Sequence, residues 1–213
     1  MSLHSRYAHI AYIAFYYALS SFLIYKEGLN FKEKLMLIPR EKVPNIDLPT
    51  TDGGSFNLSK SDAKNFNLII FFRGLHCPLC ALYLKDLNSM LDKFTAHGVK
   101  AVAISSDPKD RAEEFAKKVD APGITFAYDF PLSEAKKWGL YISEGIGKTS
   151  IGVEELSKFP EPGLFLIKPD MTLYYGAVQT MPFSRPPFKD LLLAVEFAIT
   201  KNYPARGEYT GSV

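Results

Sequence analysis

Apolar and polar positions alternate over Asn45–Pro49 and again over Ser55–Leu58, with Asp52-Gly53-Gly54 between them, which predicts a β-hairpin. Leu68 to Phe72 is a continuous apolar run bounded by Asn67 and Gly74, the pattern of a strand buried on both faces. Leu82, Leu87, Met90, Leu91 and Phe94 follow at helical spacing, and His97-Gly98 closes that helix with glycine just past its last turn. Val99 to Ile104 reads as the next buried strand. Asp107 and Pro108 offer an N-cap and a first-turn proline for a helix running to Val119. Ile124 to Tyr128 predicts a further strand and Leu132 to Trp138 a short helix. Leu164–Ile167 and Leu173–Val178 predict strands joined by a Pro169-Asp170 turn, and Phe188–Thr200 a closing amphipathic helix. This order predicts one α/β domain, a mixed central sheet flanked by helices, with an N-terminal β-hairpin extension. No internal repeat or low-complexity linker interrupts it.

The first 35 residues follow a different pattern. Tyr7 to Tyr25 is an uncharged, mostly apolar run between Arg6 and Lys26, close to the roughly 20 residues a bilayer-spanning helix needs. Three readings compete for it: a membrane anchor, a signal peptide with cleavage near Ala18-Leu19-Ser20, or translated leader ahead of a true start at Met36. All three set residues 1–35 apart from a domain at 36–213. The matching expectations for location are the cytoplasm, or a membrane tether through residues 7–25.

Composition narrows the function without naming it. The chain has 213 residues, 47% of them hydrophobic, enough for a full core without disulfide staples. A formal charge of +2, with Lys and Arg scattered, gives no argument for a nucleic-acid partner. The chemistry rests on the 2 cysteines, which stand as Cys77-Pro78-Leu79-Cys80. A bridge over two residues closes almost no loop, so stability is a poor reason for the pair and reversible redox chemistry a better one. A structural zinc site would need two more ligands, and His4, His9, His76 and His97 lack the paired spacing. No metal or cofactor is expected.

A strand, a short loop, Cys-x-x-Cys and a helix make the setting in which this pair is reactive. Cys77 would sit at a helix N-terminus, where free N–H groups and the helix dipole favour a thiolate. Pro78 suits the first turn because its missing N–H is not needed there. Arg73 either stabilises a thiolate or binds an oxidised substrate, or is a surface charge at a strand end. His76 either tunes Cys77 or faces solvent from the loop. Gly145-Ile146-Gly147-Lys148-Thr149-Ser150 imitates the end of a phosphate-binding loop, but Ile142 stands where that motif requires glycine, and no strand is expected to lead into it. It is expected to be a loop beside the active site.

Leu68 through Cys80 resembles the active-site strand and loop of the thioredoxin-like AhpC/TSA (peroxiredoxin-like) family, and the resemblance extends over roughly Pro44 to Pro204. It implies a thioredoxin-like fold and antioxidant or thiol–disulfide chemistry. Glu161-Pro162-Gly163-Leu164 is similar to the segment carrying the thioredoxin cis-proline, which implies that Pro162 packs against the Cys pair through a cis bond. Met181-Pro182-Phe183-Ser184-Arg185 resembles the family's Pro-x-x-Arg turn, which implies that Arg185 approaches the cysteines. Two departures stand out. Cys77 takes the place of the family's active-site Thr, with Cys80 in the peroxidatic place, and Pro162 replaces one of two arginines. The implied substrate is a peroxide or a protein disulfide, and the implied electron donor a thioredoxin-like or small-thiol reductant. A rival reading is a redox-sensing module with negligible turnover. Helix-terminus exposure favours Cys77 as nucleophile and Cys80 as the resolving thiol.

Overall fold

The computed structural model describes residues 36–213, which form one unit. The expectations for residues 7–25, and His4 and His9, lie outside the described residues. Among the described residues no helix is long and apolar enough to cross a membrane.

The central strand β3 (Phe66–Phe71) is buried along its whole length, as its unbroken apolar run requires. It pairs in parallel with β4 (Val99–Ile104) and antiparallel with β8 (Gly163–Ile167). Outside these lie β5 (Thr125–Ala127) and β9 (Leu173–Val178), giving a five-stranded mixed sheet ordered β5-β4-β3-β8-β9. The fold is thioredoxin-like, with helices flanking the sheet. Successive residues of β3 serve opposite faces, as the two-residue strand period dictates. Leu68, Ile70 and Phe72 join a core with Leu84, Leu87 and Phe94 of α1 (Pro78–Ala96), Phe115 of α2 (Lys109–Val119) and Leu191 of α4 (Phe188–Thr200). Ile69 and Phe71 face a second core with Trp138, just after α3 (Leu132–Lys137), and the hairpin β1 (Asp47–Pro49) and β2 (Ser55–Asn57). Helix α1 stops where expected, with Gly98 at φ +68 after the His97 cap.

Two local expectations are corrected. Helix α2 begins at Lys109 with Pro108 as its cap residue, and Asp107 does not cap it. The Asp107 side chain is buried and turned to the redox loop, where it accepts the Leu75 N–H at 2.7 Å and Arg111 Nε at 2.9 Å. Second, β6 (Ile142–Glu144) does lead into the glycine-lysine loop, and pairs antiparallel with β7 (Lys158–Pro160). Neither three-residue strand has enough periodicity to be read from sequence. The topology places the end of β3 and the start of β8 together, with Phe71 opposite Gly163, so the Cys loop and the Glu161-Pro162 segment share one end of the sheet.

Candidate active site

The redox loop runs from the buried end of β3 into α1, and its shape depends on Gly74. At φ +123 this residue occupies backbone space that side chains rarely enter, and a Cβ would lie 2.5 Å from the Asp107 carboxylate. The absence of a side chain there leaves room for Asp107 to reach the Leu75 N–H and fix the loop before the cysteines.

Cys77 and Cys80 are joined as a disulfide with their Cα atoms 5.3 Å apart. Cys77 is the N-cap of α1, with Pro78 in the first turn, and its sulfur accepts the Cys80 N–H at 3.2 Å. A thiolate formed there meets an N–H donor and the positive end of the helix dipole. Both cysteines are buried, at 2% and 0% exposure for Cys77 and Cys80, which corrects the expectation that Cys77 is exposed at the helix terminus.

Arg185, 105 residues beyond Cys80, brings its Nη2 to 2.9 Å from the Cys80 sulfur and 3.9 Å from that of Cys77. The guanidinium lies over the Tyr83 ring at 5.0 Å, and Tyr83 anchors the same turn by donating to the Pro186 carbonyl at 2.6 Å. Burial lowers the Arg185 pKa to about 10, with Tyr83 working the other way, so the group stays cationic at neutral pH.

Arg73 is not a surface charge. Its Nη2 lies 3.3 Å from Glu155, its Nε 3.5 Å from Glu161, and its guanidinium stands 4.6 Å over the Phe159 ring. His76 does not face solvent: it is fully buried, packed on Phe159 at 4.6 Å, and its Nε2 is 3.8 Å from the Glu155 carboxylate. Burial first, then the Arg73 charge, lowers its pKa to about 4 against the pull of Glu155, so the ring is neutral at pH 7. Pro162 is buried, its carbonyl accepting the Gln179 N–H at 2.9 Å. Its peptide bond is trans, since the described residues contain no cis bond, which corrects the implied isomer.

Sequence reasoning missed Glu155 and Glu161. Glu161 is buried and accepts from Ser143 Oγ at 2.6 Å, so two carboxylates flank Arg73. The available signal was a Glu directly before a buried Pro-Gly-strand junction. Among the described residues, no group of three or more His, Cys, Asp or Glu side chains could hold a metal ion.

Fold and site together define a thioredoxin-like thiol protein. The chain belongs to the AhpC/TSA family, which matches residues 39–176. Solved structures with similar folds include peroxiredoxin 6 of Arenicola marina, at 18% identity and TM-score 0.64, covering 78% of this chain and 75% of that one. A peroxiredoxin-like protein from Aquifex aeolicus matches at 20% identity and TM-score 0.60, covering 76% and 87%. A putative thiol:disulfide interchange protein DsbE from Chlorobium tepidum matches at 22% identity and TM-score 0.55, covering 75% and 98%. No curated protein matches the chain.

Proposed function

We propose that this chain is a thiol–disulfide oxidoreductase whose domain at 36–213 cycles Cys77 and Cys80 between dithiol and disulfide. Family membership supports a redox oxidoreductase in general. The observation that carries the finer reading is Cys77 as the N-cap of α1, its sulfur facing the helix N–H groups. The α1 N-terminus donates to the Cys77 sulfur, while the Arg185 guanidinium sits on Cys80.

In this reading the Cys77 thiolate attacks a substrate disulfide, forming a mixed disulfide and releasing one substrate thiolate. Cys80, held as a thiolate by the Arg185 charge, then attacks the Cys77 sulfur. The second substrate thiolate leaves and the internal disulfide closes. The substrate has gained two electrons, and a thioredoxin-like or small-thiol reductant returns two to the protein. Electrons pass between sulfur atoms throughout, so the cycle uses no cofactor. Arg73 and His76 hold the loop that presents Cys77, with Glu161 and Pro162 framing the same end of the sheet.

One observation favours a second reading. Arg185 lies closer to Cys80 than to Cys77, at 2.9 against 3.9 Å, as a peroxide-attacking thiolate at Cys80 would require. There Cys80 becomes a sulfenic acid, and Cys77 condenses with it to release water and form the disulfide. Stopped-flow oxidation of the reduced protein, with hydrogen peroxide against an oxidised protein substrate, separates the two. Faster oxidation by the protein disulfide is expected. Faster oxidation by peroxide overturns the first reading, substoichiometric oxidation with redox-dependent partner capture favours the redox-sensing alternative, and no oxidation by either overturns all of these and leaves a purely structural pair.

A further inference from the structure

We infer that residues 145–157, between β6 and β7, form a lid over the Cys pair, latched by Glu155, and that this latch sets the size of molecule the sulfurs admit. The lid part stands on geometry alone, while its meaning for substrate choice rests on the redox reading above.

The lid is attached at three places. One Glu155 oxygen lies 3.3 Å from Arg73 Nη2 and 3.8 Å from His76 Nε2, both on the redox loop. Its other oxygen accepts the Ile146 N–H at 2.9 Å, so one carboxylate ties the far limb of the lid to the loop bearing Cys77. From the opposite side, Arg111 of α2 donates to the Glu154 carbonyl at 3.0 Å and to Asp107 at 2.9 Å. Asp107 in turn holds Leu75 at 2.7 Å, which completes a second path from lid to redox loop. Third, Val153 packs against the apolar cluster that contains Cys77 and Cys80.

What holds the lid shut is chiefly charge. Ile146 is 92% exposed and Ile151 39%, so these apolar side chains add little burial to closure. The lid is nonetheless a folded body, with Gly145 N–H bonded to the Ser157 carbonyl, Glu155 N–H to Gly147 and Thr149 N–H to Val153. A folded loop fastened by a few charged hydrogen bonds opens as a unit when they are lost.

Closure matters because both sulfurs are buried. Thiol–disulfide exchange requires a third sulfur to approach the attacked one directly, which brings the bulk of the substrate with it. With the lid latched a small oxidant or thiol needs only a slight local opening to reach the buried sulfurs, whereas a polypeptide disulfide must first displace residues 145–157. Glu155 is thus a positioning residue that determines specificity, acting through the lid and not on sulfur.

The test compares two alkylating reagents on the reduced full-length protein: iodoacetamide, and a maleimide carried on a polyethylene glycol chain. Losing a charged hydrogen bond raises the open population by about tenfold or more. Glu155→Gln is therefore expected to accelerate the bulky reagent about tenfold while iodoacetamide changes by less than about threefold. Glu155→Asp keeps the charge and shortens its reach, and gives a second variant with the same expected direction should the first fail to fold. Unchanged rates, or an equal rise with both reagents, would overturn the lid. Alkylation needs no turnover, so a protein that fails to reduce disulfides still reports the ratio. An enzyme that turns over with an unchanged ratio contradicts the lid alone.

Discussion

The segment from Phe66 to Ile104 and the segment from Ile142 to Glu161 meet at the redox loop but are held by different forces. In the first, β3 is buried throughout and α1 buries Leu84, Leu87 and Phe94 against it. In the second, β6 is half-buried or exposed along its length, and besides the buried Phe159 ring against Arg73 and His76, the attachments to the redox loop are charged, Glu155 and Glu161 on Arg73 and Glu155 near His76. Apolar packing is non-directional and tolerates little movement, whereas a few ion pairs fix an orientation and can be released together. The scaffold therefore places the sulfurs, and the hairpin regulates what reaches them.

The largest expected effect breaks the scaffold side. Leu84 is fully buried under β3, and Leu84→Ala is expected to cost about 2–5 kcal/mol in chemical denaturation. A loss confined to a few tenths of a kcal/mol would mean that α1 does not carry the core.

Next comes pH, which sharpens the contrast at the seam between the two segments. The folded His76 takes its proton only near pH 4, against an ordinary value of 6.5. The unfolded chain thus binds more protons between these values. Stability from the neutral ring is complete above about 6.5 and is lost as pH falls through 4, by up to about 3 kcal/mol. Asp107, raised by burial, contributes a slope of the opposite sign in wild type and variant alike. His76→Leu should flatten the acid limb of the stability–pH profile relative to wild type, and parallel profiles would contradict the assignment.

The smallest of these effects falls on rate. Arg185→Met removes the cation 2.9 Å from Cys80, which should raise the pKa of the thiol it faces. Oxidation of the reduced protein should slow about tenfold, while denaturation shifts by no more than about 1 kcal/mol. An unchanged pKa and rate would show that Arg185 only supports its turn.

These forces also explain what was legible in the sequence. Val99–Ile104 and Phe188–Thr200 have the predicted bounds because period and burial coincide there. Cys77 at the N-cap followed from Pro78 and the apolar run before it, since the contacts are local. The β6–β7 hairpin and the roles of Glu155, Glu161 and Asp107 did not follow. Their partners lie across the fold, as with Arg73 and Glu155 82 positions apart, and local pattern carries no record of such pairs. Arg185 was reached only through the resemblance of its turn, because nothing in Ser184-Arg185-Pro186 by itself points to sulfur. Asp107 was misassigned for an instructive reason: an Asp before Pro at a helix start ordinarily caps, but here Gly74 leaves room for its carboxylate in the redox loop.

In the proposed cycle Cys77 attacks first and Cys80 resolves. Its most direct measurement is mass spectrometry of the two single Ser variants, each challenged in reduced form with an oxidised protein substrate and, separately, with peroxide. Cys80→Ser should accumulate a stable mixed disulfide at Cys77. Fast peroxide consumption by Cys77→Ser, with a sulfenic acid trapped on Cys80, would contradict the assignment and make the protein a peroxidase.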